Sequence, residues 1–372
     1  MPTSGEPTCL KRSSSTPPVP EPRPSKVPIS RGPSLSDAAT QLLPAEFARL
    51  AREGRLPPGV VPAGRSLAGQ DLAGAMLAAL VLDGVDFSRA RLEGANLGQA
   101  SLKAARFCGS ELARADFSGA QCEGADFESA QMGSTQFYGT NLQQARLVKV
   151  TATNVLFLSC ALQRADLSGG QFKGCLFEGP TLAGATVAGA GFELCSLRGL
   201  SLPGADFSSC NLENCDLAES NLEGARFAGA SIRGADFTGA NLKSTLFTQA
   251  KGKAPNFHKA DLTGASFSEA SMPMAVFMEA NLSKASFVGA DCERSFFQKC
   301  IAAQAQFVKA KLAFGEFAYA RFEKTRFTGA DLTFANLHAT LESECDFSGA
   351  NLRNVRRTDA ELFAAENFGL AR

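Results

Sequence analysis

Residues 115–139 read ADFSG AQCEG ADFES AQMGS TQFYG: five consecutive groups of five. Each has a large apolar residue at its centre (Phe117, Cys122, Phe127, Met132, Phe137) and a small one two places earlier. Followed outward in both directions, the same phase holds from Leu67 to Leu352. Of the 58 centres in that span, 54 are apolar; the exceptions, with Ala left out of the apolar set, are Ala152, Gly252, Ala302 and Glu342. A period of five fits neither the 3.6-residue repeat of a helix nor the two-residue alternation of a strand. The chain must turn after each unit. If every unit forms one side of a square, four of them close a coil of about 20 residues, with the large residue pointing in. Successive coils then pair through their backbones at about 4.8 Å.

The unit A-(D/N)-(L/F)-x-x, as in Ala125-Asp126-Phe127, resembles that of the pentapeptide-repeat family, and the resemblance covers residues 66–355. It implies an all-β fold, a right-handed, four-sided parallel β-helix. About fourteen coils at about 4.8 Å predict a stack roughly 70 Å long. Sorting the centres by steps of 20 gives four faces, beginning at Leu67, Leu72, Leu77 and Leu82. Faces one and three hold 20 of the 23 central Phe, while faces two and four are mainly Leu. Opposed sides are thereby matched in size, as a coil that must fill its own axis requires. The motif is poorest at 150–155 and 251–255, where local bends or irregular turns are expected.

Four regions follow: a Pro/Ser/Arg-rich tail over 1–33, expected to be disordered; a helical cap and linker over 34–65; the repeat over 66–355; and a C-terminal capping helix over 356–372. An open coil end exposes core and unpaired backbone, so caps are expected at both. In SDAATQLLPAEFARLAREG (36–54), Ser36 is a candidate N-cap and Pro44 suits a first helical turn. Near the other end, Thr358 and Glu361 match a capping box. A homodimer through that C-terminal helix is a further expectation, drawn from the family's topoisomerase-protecting members.

Catalytic chemistry finds no support in the sequence. His258 and His338 are four coils apart, about 19 Å, and no phosphate-cradling loop, nucleophile triad or Cys-x-x-Cys spacing occurs. Seven of the eleven cysteines stand where Ala otherwise stands. Cys175, Cys195 and Cys215 recur at 20-residue steps, but in-line parallel side chains suit neither a tetrahedral metal site nor a disulfide. Neither cofactor nor metal is expected, and no enzyme.

Function must therefore lie on outward residues. Face three and its corner with face two carry Met274, Val276, Met278, Phe296, Phe314, Tyr319 and Phe334, expected to form one patch that binds another protein; Tyr138, Leu156 and Leu158 are further outward candidates for protein binding on face three. Apolar groups of this kind mark partner surfaces. The leading expectation is a protein-interaction scaffold or adaptor. A second is a DNA mimic that protects DNA gyrase or topoisomerase IV, the family's best-known role. It would act through Asp116, Glu178, Asp216, Glu219 and Asp236 on face three, but the repeat holds 29 acidic against 25 basic residues. A third is a secreted effector led by the 1–33 segment, because a Pro-rich lead, short helix and long repeat resemble proteins of bacterial type VI secretion loci. Direct nucleic-acid binding and a membrane span are not expected. The absence of a signal-like or long apolar run points to the cytoplasm.

Overall fold

The computed structural model describes residues 41–179 and 182–366. From Ser66 onward the chain winds as a right-handed, four-sided parallel β-helix. Residue i bridges residue i+20 along all four faces: Ser66 to Asp86, Asp71 to Arg91, Met76 to Asn96 and Val81 to Ser101. Where several residues of a side pair in succession, short strands result. Gln131–Gly133, Thr151–Thr153, Gln171–Lys173 and Gly191–Glu193 form one four-stranded sheet on face two.

The interior is a set of columns. Phe rings on face one stack coil upon coil, with centroids 4.9 Å apart from Phe87 to Phe107 and again from Phe107 to Phe127. Face three does the same through Phe257, Phe277 and Phe297, and rings of the two faces meet edge to face, as Phe267 meets Phe277 at 5.6 Å. This uses both favourable aromatic geometries at once. The position two residues before each centre is most often filled by Ala, and in several coils by a hydroxyl or thiol that donates to a nearby carbonyl. Thr135 reaches Leu112 O at 2.8 Å, Thr325 reaches Ala302 O at 2.6 Å, and Cys195 reaches Phe172 O at 3.3 Å. Cys175, Cys195 and Cys215 are buried thiols on successive coils. Burial pushes the Cys215 thiol up strongly and that of Cys210 up to about 11.

The two expected irregularities are slight, the turn at 253–254 being reduced to a bend. At 150–155 the chain forms a regular strand, Thr151–Thr153, with Ala152 in register between Met132 below and Phe172 above. At 251–255 the coil stays in step, with Gly252 N–H donating to Ser271 O at 2.9 Å. The backbone there closes onto the coil beneath: a Cβ on Gly252 would lie 2.4 Å from Arg233 N. The real interruption lies between residues 182–189 and 202–208 and is taken up below.

At the start, helix α1 (Pro44–Arg52) has Pro44 in its first turn, preceded by Leu43 with no side-chain cap; Ser36 lies outside the described residues. Its Phe47, Ala48 and Ala51 are buried in the same core as the first coils, and Ala51 O accepts from Met76 N–H. At the far end, helix α2 (Ala360–Glu366) is capped by Asp359, not Thr358. Asp359 Oδ1 accepts from the N–H groups of Glu361 and Leu362, whereas the Thr358 hydroxyl accepts from Ala339 N–H. Helix α2 buries none of its residues and runs beside His338 and Tyr319, leaving the last inward residues, Glu342 and Leu352, exposed. Arg357 covers this end instead, pairing with Glu342 at 2.6 Å and lying over the Phe347 ring.

Candidate functional site

Each unit's turn dictates which residues face out. Every fifth residue from Gly69 to Asn354 has positive φ, a region open to Gly and costing other residues roughly 1 to 2 kcal/mol. The side chains found there include Arg, Lys, Glu, Gln, Ser, Asn and Ala, but none that is β-branched, since branching at Cβ makes this conformation worst. The position has no structural use for an aromatic ring, because it points to solvent and away from the core. Aromatic residues occupy it at Phe314, Tyr319 and Phe334, all within two coils.

Phe314 and Phe334 stand one coil apart at the corner of faces two and three. Their rings stack at 5.1 Å with planes 6° apart, yet each remains over 40% exposed. One coil below, the Arg294 guanidinium lies 5.4 Å from the Phe314 centroid, a cation–π contact. Met274 is the next residue down this column. Beside it runs a second column in which Val276 bridges Phe296 and Phe296 bridges Glu316. Val276, Phe296, Met274 and Met278 are half-buried.

Tyr319 does not join this surface. It sits at the opposite edge of face three, where its hydroxyl donates to Glu366 of α2. That bond, foremost, raises the Tyr319 pKa and lowers that of Glu366. His338, almost fully buried, completes the contact. Its Nδ1 accepts from Asp359 N–H at 3.3 Å, which leaves Nε2–H to donate to Glu366 at 3.0 Å. Tyr138, Leu156 and Leu158 form a separate surface. Gln136–Tyr138 pairs in register with Leu156–Leu158, but six coils, about 29 Å, part them from Met278. Of the seven residues expected to form one patch, Tyr319 therefore stands apart. The sequence reading passed over Arg294, which reading in steps of 20 would have placed between Met274 and Phe314.

The acidic residues of face three are partly neutralised. Arg198 pairs with Glu219 at 2.6 Å and approaches Asp216 at 3.9 Å. Among the described residues no group of His, Cys, Asp and Glu is arranged to hold a metal ion. No described helix is long and apolar enough to cross a membrane.

The family model described as pentapeptide repeats (8 copies) matches this chain in overlapping stretches from 66 to 341, omitting only 180 and 250–259. Among solved structures, that of QnrB1, a plasmid-mediated fluoroquinolone resistance protein, is 19% identical, the match covering 64% of this chain and 98% of that one with a TM-score of 0.25. HetL, a pentapeptide-repeat protein involved in heterocyst differentiation regulation in Nostoc sp. strain PCC 7120, is 19% identical over 74% of this chain and 89% of its own, with a TM-score of 0.15. A pentapeptide-repeat protein of the Arabidopsis thaliana thylakoid lumen is 30% identical over 37% of this chain and 67% of its own, with a TM-score of 0.20. No curated protein matches the sequence.

Proposed function

Because the chain belongs to the pentapeptide-repeat family, we propose that it works without catalysis, as a scaffold or adaptor that holds another protein on an outward aromatic column. The observation that carries this reading is the exposed Phe314–Phe334 stack on turn residues that need no ring. Arg294 and Met274 continue it downward, and Phe296 and Val276 flank it. Aromatic and Arg side chains of this kind dominate binding energy at protein interfaces. The coil stack beneath is rigid, so little ordering cost falls on the surface when a partner docks.

The test is the triple variant Phe296→Ser, Phe314→Ser, Phe334→Ser used as bait in a pull-down beside the parent protein. All three side chains lie outside the core columns, so the variant should melt like the parent while losing partner proteins that the parent retains. An unchanged partner set from a folded variant would overturn the proposal.

The DNA-mimic reading is less well supported. Duplex DNA carries about one charge per 1.7 Å, so a 70 Å stack would need about 40 negative charges. The repeat carries 29 acidic residues offset by 25 basic ones, and Arg198 engages two of the acids that mimicry would use. A gyrase supercoiling assay should accordingly show no protection. The export reading concerns residues 1–33, outside the described residues, and is tested by fusing them to a reporter enzyme and scoring its export.

A further inference from the structure

Between residues 182–189 and 202–208 the β-helix is open on faces four and one. The coils on either side are paired normally, with Asp166 bridging Thr186 and Asp206 bridging Arg226, but Thr186 does not bridge Asp206. The N–H groups of Leu182, Gly184, Val187 and Gly189 make none of the bonds that the repeat would direct to the carbonyls of residues 201, 203, 206 and 208. Faces two and three of the same coils stay joined: Phe192 N–H donates to Asn211 O at 2.6 Å and Leu197 N–H to Asp216 O at 2.7 Å. Exposure agrees with the hydrogen bonds. In one column, Ala165 and Ala225 are fully buried, while Ala185 and Ala205 between them are half-exposed. The result is a cleft of about 500 Å³ walled by Leu182, Ala185, Val187, Leu202, Pro203 and Ala205.

The core is poorer in rings here. Face one loses its rings after Phe127, passing through Leu147, Leu167 and Val187 before Phe207, and face three changes from Phe177 to Leu197. No ring stack spans the opening on face one, whereas the Phe172–Phe192 stack at 5.2 Å lies on the joined side.

We propose that this cleft is a binding site for an extended segment of another polypeptide, inserted as one added strand parallel to both lips. The lower lip presents unpaired donors and the Ala185 carbonyl, and the upper lip unpaired acceptors and the Asp206 N–H, spaced as in a parallel ladder. A guest strand accepts from the first with its carbonyls and donates to the second with its N–H groups, so a peptide backbone satisfies both lips at once. The apolar walls select apolar side chains at the guest's inward positions, and its donor positions exclude Pro. Faces two and three hold the lips in register. This site is independent of the aromatic column.

A fluorescein-labelled peptide ADLTGASFSE, which copies residues 260–269, is a suitable probe because Leu262 and Phe267 are in phase with faces four and one. The folded protein should bind it saturably by fluorescence anisotropy. The same peptide N-methylated at its Leu and Phe amides should bind about ten-fold more weakly or worse, having lost two donors. In a variant carrying Ala183→Cys and Pro203→Cys, a disulfide-containing bis-maleimide cross-link between the two thiols should tie the lips together and abolish binding, and reductive cleavage of the linker should restore it. Hydrogen exchange at Val187 and Asp206 should slow when the peptide is added. The proposal is overturned by absence of binding, or by binding indifferent to N-methylation and to the cross-link. It is also overturned if the Val187 and Asp206 amides of the free protein are already as protected as that of Phe227.

Discussion

At the scale of single residues, two rules account for most of the repeat's composition. The turn residue of every unit is left-handed, so β-branched side chains are missing there while Gly and unbranched polar residues share the place. The residue before each centre is commonly Asp or Asn because its side-chain oxygen accepts the N–H two residues on, as Asp116 does from Ser118 at 2.9 Å and Asn96 from Gly98 at 3.0 Å. That N–H points away from the ladder and would otherwise lack a protein partner. These carboxylates make stability depend on acid. Hydrogen bonds from the side chain and backbone of Ser348, then from Thr328, hold Asp346 down from 3.8 to about 2, and the side chain and backbone of Ser208 lower Asp206. A carboxylate with a depressed folded pKa adds stability above its unfolded pKa and loses it as pH falls through the folded one. Melting temperature should therefore hold steady from neutral pH to about 4 and fall between about 4 and 2. Asp346→Asn keeps the acceptor but cannot titrate, so its melting profile over that range should be flatter than the parent's.

The elements of this fold are columns that run across coils, and a defect matters according to what its column can absorb. Gly252 and Val187 make the contrast. Gly252 leaves a centre empty, yet the backbone moves in until it touches the coil below, and the ladder continues unbroken. Gly252→Ala should accordingly destabilise by about 1 to 3 kcal/mol, the usual cost of overpacking, read as a lowered midpoint in urea unfolding; a midpoint equal to the parent's would show that the coil can open to admit a methyl group. Val187 fills its place but offers no ring to stack, and there the ladder parts on two faces. Fit to the five-residue motif thus does not locate the opening, because it weighs each unit alone while the energy lies between units 20 residues apart.

For the coil stack as a whole, the ends decide whether it remains separate from its copies. Helix α1 seals the first coil with Phe47. The last coil is finished by charge: Glu342 occupies an inward position, pairs with Arg357, and Arg357 covers the terminal Phe of a stack. A charged pair at an exposed sheet end discourages pairing with another edge. The double variant Glu342→Leu, Arg357→Ser should replace that barrier with an apolar end and show concentration-dependent self-association in sedimentation equilibrium. If it sediments like the parent, the pair is not what keeps the end free. Glu342 was visible in the sequence as the one charged centre; its partner was not, because Arg357 lies beyond the repeat and reaches it only once the chain has turned back over the coil.

The five-residue phase, the inward and outward sorting, the matched Phe faces and the 20-residue register were all present in the sequence, because each follows from local spacing repeated many times. The structure alone decided what depends on contacts between coils and at the ends. It put Arg294 against Phe314, drew Tyr319 away from the apolar patch to Glu366, moved the helix cap to Asp359 and opened the cleft beside Val187. A periodic code says which way a side chain points; what it meets there is set by the next coil and by segments that do not share the period.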